Sequence, residues 1–516
     1  MLDRQGILLE ELPFWRGRIM LKMNIWNGDI IRNSRDNSNA RFFSPLYFSS
    51  FASLIAALLG GVACGLMFGG VFGNIGLYIM GGVIGAIVMT IIIILRQDEL
   101  AATAVMVVHL YVDWYLGLGV VAQIMTMMLL IIFLTSRTSR HSLRPPKALW
   151  IWILFLLIAI IPATRGISLQ DGAYYYSNVI FSAFIMFWLG IVIIRDVAHI
   201  RRLLKLLSHY ATFIAIVTII QTVTGKLLFG TTRYDAYLAS IGNYVLFSGA
   251  DIFRTGAFFV NPNGNGGFLA MMLLFPLGLF FESSTFLEKA LYLIEIFILL
   301  PALLFSYSTE SWLSLCVGVI VFLALAGRAH YRLLLLLIIT GITITAITVF
   351  PSQIALQLQH AEAPSELLLR NGAWQTGIQV IRAFPLSGLG LGRYVYFLRA
   401  DPYRVIAQYR PLDHPHDSFL ELAALGGLPV ALVFIVLLLF TFWQALRNWF
   451  QSDAKTRSLL AAGIASAIAL TTFSLSDAGW TLAPLLAMGW LILGVVSAPI
   501  GATNRDSEML KAEEKS

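Results

Sequence analysis

The chain has 516 residues, 58% of them apolar and only 12% charged, with a formal charge of +7 and a mean hydropathy of +0.80. A soluble globular domain carries about a quarter charged residues, so this composition excludes one and predicts an all-α polytopic integral membrane protein. The two cysteines, Cys64 and Cys316, both lie in apolar segments, which argues against a disulfide framework or a cysteine-based metal centre.

Residues 1–46 are polar and basic, with Arg16, Arg18, Lys22, Arg32, Arg35 and Arg41, and no cleavable leader is expected. The first long apolar run begins near Tyr47. From there about fourteen membrane-spanning helices are predicted, at 47–69, 75–95, 100–115, 117–135, 148–163, 174–194, 204–224, 264–281, 289–307, 311–326, 332–350, 418–445, 457–476 and 480–499. The organisation is then a basic tail (1–46), an N-terminal membrane region with a first long loop (47–263), a second region with its own long loop (264–445), a terminal hairpin (446–499) and a tail (500–516).

With that number of crossings, 25 of the 35 lysines and arginines fall on one side, which the positive-inside rule assigns to the cytoplasm together with both termini. The positive charge is therefore a topology signal and an attraction to membrane lipids, not a nucleic-acid footprint. On the other side lie two long loops, about 225–263 and 351–417. Of the ten basic residues facing outward, all but Lys226 are arginine. That bias suits a surface gripping phosphate or carboxylate through paired hydrogen bonds.

The first loop ends in Arg254-Thr-Gly-Ala-Phe-Phe-Val-Asn261-Pro262-Asn263-Gly264, and a span follows at once. Asn261 and Asn263 suit a tight turn and a helix cap, or a site. Arg254 is flanked by apolar Ala257, Phe258 and Phe259, which suggests a side chain held against the protein. The second loop is expected to contain a surface helix from Pro364 to Arg382, with Leu367, Trp374, Ile378 and Ile381 on one face. Arg370 and Arg382 flank that stripe and could snorkel to lipid phosphates or hold a ligand pyrophosphate. Gly388-Leu-Gly390-Leu-Gly392 follows no strand, so it is read as a turn allowing close backbone approach rather than a nucleotide loop.

The loop ends in Asp413-His414-Pro415-His416-Asp417-Ser418, and Ser418-Phe-Leu-Glu421 has the form of a capping box. His416 therefore precedes a helix N-terminus, whose partial positive charge disfavours imidazolium and leaves the ring able to accept a proton near pH 7. Asp417 or Asp413 could orient that ring, and His414 is an alternative base. A metal centre ranks lower, because no other histidine cluster faces outward.

Arg370-Asn-Gly-Ala-Trp374, Phe384-Pro385-Leu-Ser-Gly388-Leu-Gly390 and His416-Asp-Ser418-Phe-Leu420-Glu421 together resemble the O-antigen ligase and polymerase superfamily, as does Arg254-Thr-Gly-Ala-Phe with Asn261-Pro-Asn263. The resemblance covers about residues 250–440. It implies glycan transfer from an undecaprenyl-pyrophosphate carrier to a glycan or lipid acceptor at the outer face of the cytoplasmic membrane, with no cofactor. It further implies that His416 is the general base and that Arg254 and Arg370 hold the pyrophosphate. One departure stands out: many relatives carry Ser-Arg-Gly before a tryptophan, whereas this chain reads Ser308-Thr309-Glu310-Ser311-Trp312. The alternatives are a surface-polysaccharide polymerase of the same superfamily and, from another class, a transporter or lipid-carrier flippase. The latter would use intramembrane ionisable groups, for which only Glu295 and Asp477, read as isolated, are candidates.

Overall fold

The computed structural model describes residues 147–194, 196–225, 244–247, 250–253, 256–259, 261–326, 364–405 and 414–499, with a few single positions besides. The spans expected at 47–69, 75–95, 100–115, 117–135 and 332–350 lie wholly or almost wholly outside these residues.

Among the described residues the architecture is helical. α1 (Leu149–Ala163) is followed by α2 (Leu169–Tyr175), which runs through a π-helical turn (Tyr176–Phe181) into α3 (Ser182–Ile193). Next come α4 (Val197–Thr224), α5 (Pro262–Met272), α6 (Leu274–Glu282), α7 (Phe286–Phe305) and α8 (Thr309–Leu325). The second half holds α9 (Pro364–Ala383), the short α10 (Val395–Arg399), α11 (Ser418–Gly426), α12 (Leu428–Gln451), α13 (Ala454–Phe473) and α14 (Ala483–Ser497). One antiparallel ribbon departs from the all-α expectation: β1 (Tyr244–Phe247) pairs with β2 (Ala250–Phe253), with Tyr244 opposite Phe253.

Among the described residues, five stretches are long and apolar enough to cross a membrane: Leu169–Ile193, Val197–Thr224, Pro262–Glu282, Leu428–Gln451 and Ala454–Phe473. α1, α8 and α14 are shorter apolar helices. On α12, Leu428, Leu432, Val436, Leu439 and Trp443 are exposed at helical spacing, while Val430, Phe434, Leu437, Leu438, Thr441 and Ala445 are buried. An apolar helix that leaves one apolar face uncovered is built for lipid rather than water. The chain is a multi-pass membrane protein.

Helix contacts rely on small residues, which let backbones approach where lipid removes the hydrophobic drive between helices. α3 packs on α14 through Gly190 and Gly494. A Cβ on Gly190 would stand 2.3 Å from the Leu491 carbonyl oxygen, and one on Gly494 2.1 Å from that of Phe187. α13 is the central helix. Ala461, Ala462, Gly463, Ala465, Ser466, Ala467 and Ala469 are all buried on it, and α6, α8 and α14 pack around it. Bulk comes from an aromatic cluster that joins α1, α12 and α14. The ring centroids of Trp152 and Trp490 are 4.7 Å apart, and those of Trp480 and Trp490 are 5.2 Å apart.

The span expected at 418–445 is two helices. Gly427 has φ +82 and separates α11 from α12, so only α12 has membrane-spanning length. A glycine there takes up a backbone turn that Cβ-bearing residues adopt at a cost. The break leaves carbonyl groups at the end of α11, and the Pro385–Gly390 turn supplies the partners. Leu389 and Gly390 donate their N–H groups to the carbonyls of Ala424 and Leu425 at 2.9 Å, and Leu428 donates to Pro385 at 2.8 Å. This is where the glycine turn makes its close backbone approach.

Candidate active site

α9 carries Arg370 and runs from Pro364 to Ala383, close to the expected bounds. The face buried against the protein is Leu369, Gly372, Ala373, Thr376, Gly377 and Val380, at helical spacing. The expected stripe lies off that face: Ile378 is exposed and Trp374 and Ile381 are half-buried. The helix docks through small residues onto α11 and the loop before it. At Gly377 an added Cβ would stand 3.3 Å from Pro415 Cβ.

That docking fixes His416. Trp374 donates its indole N–H to the His416 carbonyl oxygen at 3.2 Å. The His416 backbone N–H donates to Nδ1 of His414 at 3.1 Å. Between those bonds the residue takes φ +53, a left-handed conformation that costs a non-glycine residue about 1–2 kcal/mol. The two imidazole centroids are 4.4 Å apart.

Asp417, not Ser418, caps α11: its carboxylate accepts from the N–H groups of Phe419 at 2.7 Å and Leu420 at 2.8 Å. Burial nonetheless pushes its carboxyl up to about 6, against the lowering effect of those bonds. The capping-box reading of Glu421 is overturned. Glu421 is buried and accepts hydrogen bonds from Tyr175 Oη of α2 at 3.0 Å and Thr481 Oγ1 at 2.7 Å. Its role is to tie α11 to α2 and to the α13–α14 loop.

That loop brings in the residue the sequence did not connect to the site. Asp477 is buried, its Oδ1 4.0 Å from His414 Nε2 and its Oδ2 accepting from Asn263 Nδ2 at 2.9 Å. Ser418 Oγ donates to the Asp477 carbonyl at 3.2 Å and accepts from the Trp480 N–H at 3.0 Å. Trp480 is 1% exposed, so the loop is anchored in the aromatic core. Asn261 is the N-cap of α5, accepting from the Asn263 N–H at 2.8 Å, with Pro262 at the first helical position. The two asparagines thus divide the work: one caps and the other holds Asp477.

Arg370 is paired rather than open. Its Nη2 lies 3.2 Å from both carboxylate oxygens of Glu310, near the start of α8, where a helix N-terminus also favours the acid. Arg382 is exposed. Arg254 and Asp413 lie outside the described residues. Among the other outward-assigned arginines, Arg399 is structural: it donates to the carbonyls of Arg165 at 2.5 Å, Leu389 at 2.7 Å and Gly166 at 3.1 Å. Arg404 pairs with Asp401 at 3.2 Å. The arginine bias therefore partly reflects folding.

Glu295 and Asp477 are not isolated charges. Glu295 of α7 is bonded to Ser208 and His209 of α4, and Asp477 belongs to the histidine cluster. His414, His416 and Asp477 bring three metal-ligating atoms within 4.8 Å of one another. The donor set suits a transition metal, but the hydrogen bonding does not. Because His414 Nδ1 accepts a backbone N–H, the neutral ring carries its proton on Nε2, the atom nearest Asp477 and the one a metal would need.

A buried carboxylate, two histidines at a helix start and an arginine one helical turn from the tryptophan that holds His416 form a polar site within a multi-pass helical membrane protein. Residues 294–435 match the family model described as O-antigen ligase. The chain is also 21% identical over 353 residues to the exopolysaccharide production protein ExoQ of Rhizobium meliloti (strain 1021), covering 63% of this chain and 72% of that one. These matches make residues 294–435 similar to the O-antigen ligase family and the chain as a whole similar to a protein of polysaccharide production. The matched segment includes Glu310, Arg370, Trp374, His414, His416, Asp417 and Glu421, and leaves Arg254, Asn263 and Asp477 outside.

Proposed function

We propose that the chain is a membrane glycosyltransferase. It transfers a glycan from an undecaprenyl-pyrophosphate carrier to an acceptor hydroxyl at the outer face of the cytoplasmic membrane, in the assembly of cell-surface polysaccharide. The observation that carries this reading is His416, just ahead of α11, whose carbonyl is held by Trp374 of α9, the helix that also carries Arg370. His416 takes the acceptor's proton as its oxygen attacks the anomeric carbon. The bond from that carbon to the carrier breaks, and the pyrophosphate leaves with the electron pair, so the anomeric configuration inverts. Arg370, with Arg254 from the first long loop, stabilises the negative charge growing on the leaving group. No metal step is required.

The test is transfer from a lipid-pyrophosphate-linked glycan by purified protein in liposomes, comparing wild type with His416→Ala and Arg370→Ala. Both variants should stay folded and lose most turnover. Wild-type turnover in His416→Ala would defeat the mechanism. The second reading is a polymerase of surface polysaccharide; the similar protein named for exopolysaccharide production is compatible with it. A polymerase predicts a ladder of products from one acceptor, where a ligase gives a single addition. A flippase would instead move labelled carrier across the bilayer regardless of His416.

A further inference from the structure

Two histidines separated by one proline offer two candidate bases, and the hydrogen bonds distinguish them. His414 Nδ1 accepts the backbone N–H of His416 at 3.1 Å, so that nitrogen holds its lone pair toward the peptide. The neutral ring then carries its proton on Nε2, 4.0 Å from Asp477 Oδ1, where the nearby carboxylate favours that tautomer without a direct hydrogen bond. Asp477 is itself fixed. Its Oδ2 accepts from Asn263 and its Oδ1 from the Ala478 N–H at 2.7 Å, while Trp480 roots the loop in the core. The side chains of His414 and Asp477 are 15% and 4% exposed, so both work away from bulk water. Neither nitrogen of His414 is oriented to take a proton from an acceptor.

We propose that His414 is a positioning residue. Its Nδ1, steadied by Asp477 against Nε2, holds the peptide of His416 in the left-handed conformation that presents the His416 ring to the acceptor. Trp374 grips the other end of the same residue through its carbonyl, so His416 is clamped on both sides. This inference rests on the reading of His416 as the base. It adds that the base works only when its backbone is clamped.

The experiment compares His414→Leu, which removes the acceptor at similar volume, with His414→Asn, whose Oδ1 can occupy the place of Nδ1. Both are made in the full chain and assayed in liposomes with the lipid-pyrophosphate-linked glycan. A displacement of about 1 Å at a reacting group can cost about 100-fold in rate, so His414→Leu should lower kcat by about that factor. Its donor KM should change little and its Tm should stay near wild type. His414→Asn should recover most of the rate. If His414→Leu is not inserted stably, His414→Gln takes its place, because its side-chain oxygen lies one bond too far out to reach the same N–H. Equal loss in the Asn variant and its partner would overturn the proposal and make the imidazole itself the working group. Wild-type kcat in both would overturn it as well. His416→Ala separates the two readings. Loss of turnover there with normal kcat in His414→Leu sinks the clamp alone, whereas retained turnover in His416→Ala sinks the base.

Discussion

Glu310 holds Arg370: one guanidinium nitrogen reaches both carboxylate oxygens at 3.2 Å, and the acid's side chain is only 2% exposed. An anionic donor arriving at Arg370 meets a charge already balanced. Under the proposed function the pyrophosphate must share or displace this partner. Removing one member of an enclosed pair leaves the other buried and uncompensated.

Arg370→Met should therefore cost about 2 kcal/mol of stability, less than a fully enclosed pair because Arg370 keeps 23% exposure. Adding Glu310→Met should restore most of the melting temperature and none of the turnover. A double variant that regained transfer would show Arg370 to be structural only. Thermal melts and transfer rates on the same preparations separate the two roles.

Asp417 links stability to pH. Burial raises its folded-state pKa to about 6, above the ordinary carboxylate value, so the folded chain binds this proton more tightly than the unfolded chain does. Its stabilising contribution is full below about pH 4 and is lost as pH climbs through about 6, a change of about 2 kcal/mol after allowance for partial exposure. Asp417→Asn keeps an N-cap acceptor and carries no charge. Melting temperatures from pH 4 to 8 should fall more steeply for wild type than for Asp417→Asn, and parallel curves would contradict the burial argument.

Gly388 has φ +57, and a Cβ there would stand 2.2 Å from the Leu425 carbonyl oxygen. Gly388→Ala must push the turn off the end of α11, breaking the Leu389 and Gly390 hydrogen bonds. A loss of about 2 kcal/mol is expected from strain and displaced contacts together. Proteolysis within 384–394 should rise in parallel. An unchanged digestion pattern would mean that the turn is not held by this contact.

The helices were legible wherever lipid decided their composition: α1, α7, α8 and α13 lie close to their expected ranges because long apolar runs leave few alternatives. The break at Gly427 was not legible, since the run on both sides is apolar and one glycine does not announce its φ. The buried face of α9 was missed for a related reason. Gly372, Ala373, Thr376 and Gly377 carry little hydropathy, so a reading weighted by bulk chose Trp374, Ile378 and Ile381. His416 and Arg370 were legible as local motifs. Asp477 was not, because its partner Asn263 lies 214 positions away and no spacing rule joins them. The one available signal was a lone acid in the short polar gap between the last two spans.

The cluster of His414, His416 and Asp477 makes a further prediction, because ligating atoms within 4.8 Å of one another invite a metal. Binding one would require a lone pair on His414 Nε2. Supplying it would move the ring proton to Nδ1, which would break the bond from the His416 N–H and free the residue that Trp374 and His414 clamp. A metal would thus disrupt the arrangement that presents the base. Treatment with EDTA or 1,10-phenanthroline should leave turnover within about 2-fold of the untreated protein, since proton transfer to a histidine and charge stabilisation by arginine supply the chemistry. Added Zn²⁺ should inhibit, and His414→Asn should blunt that inhibition by removing one imidazole ligand. Loss of turnover on chelation, restored by one divalent cation, would replace this mechanism with a metal-assisted one.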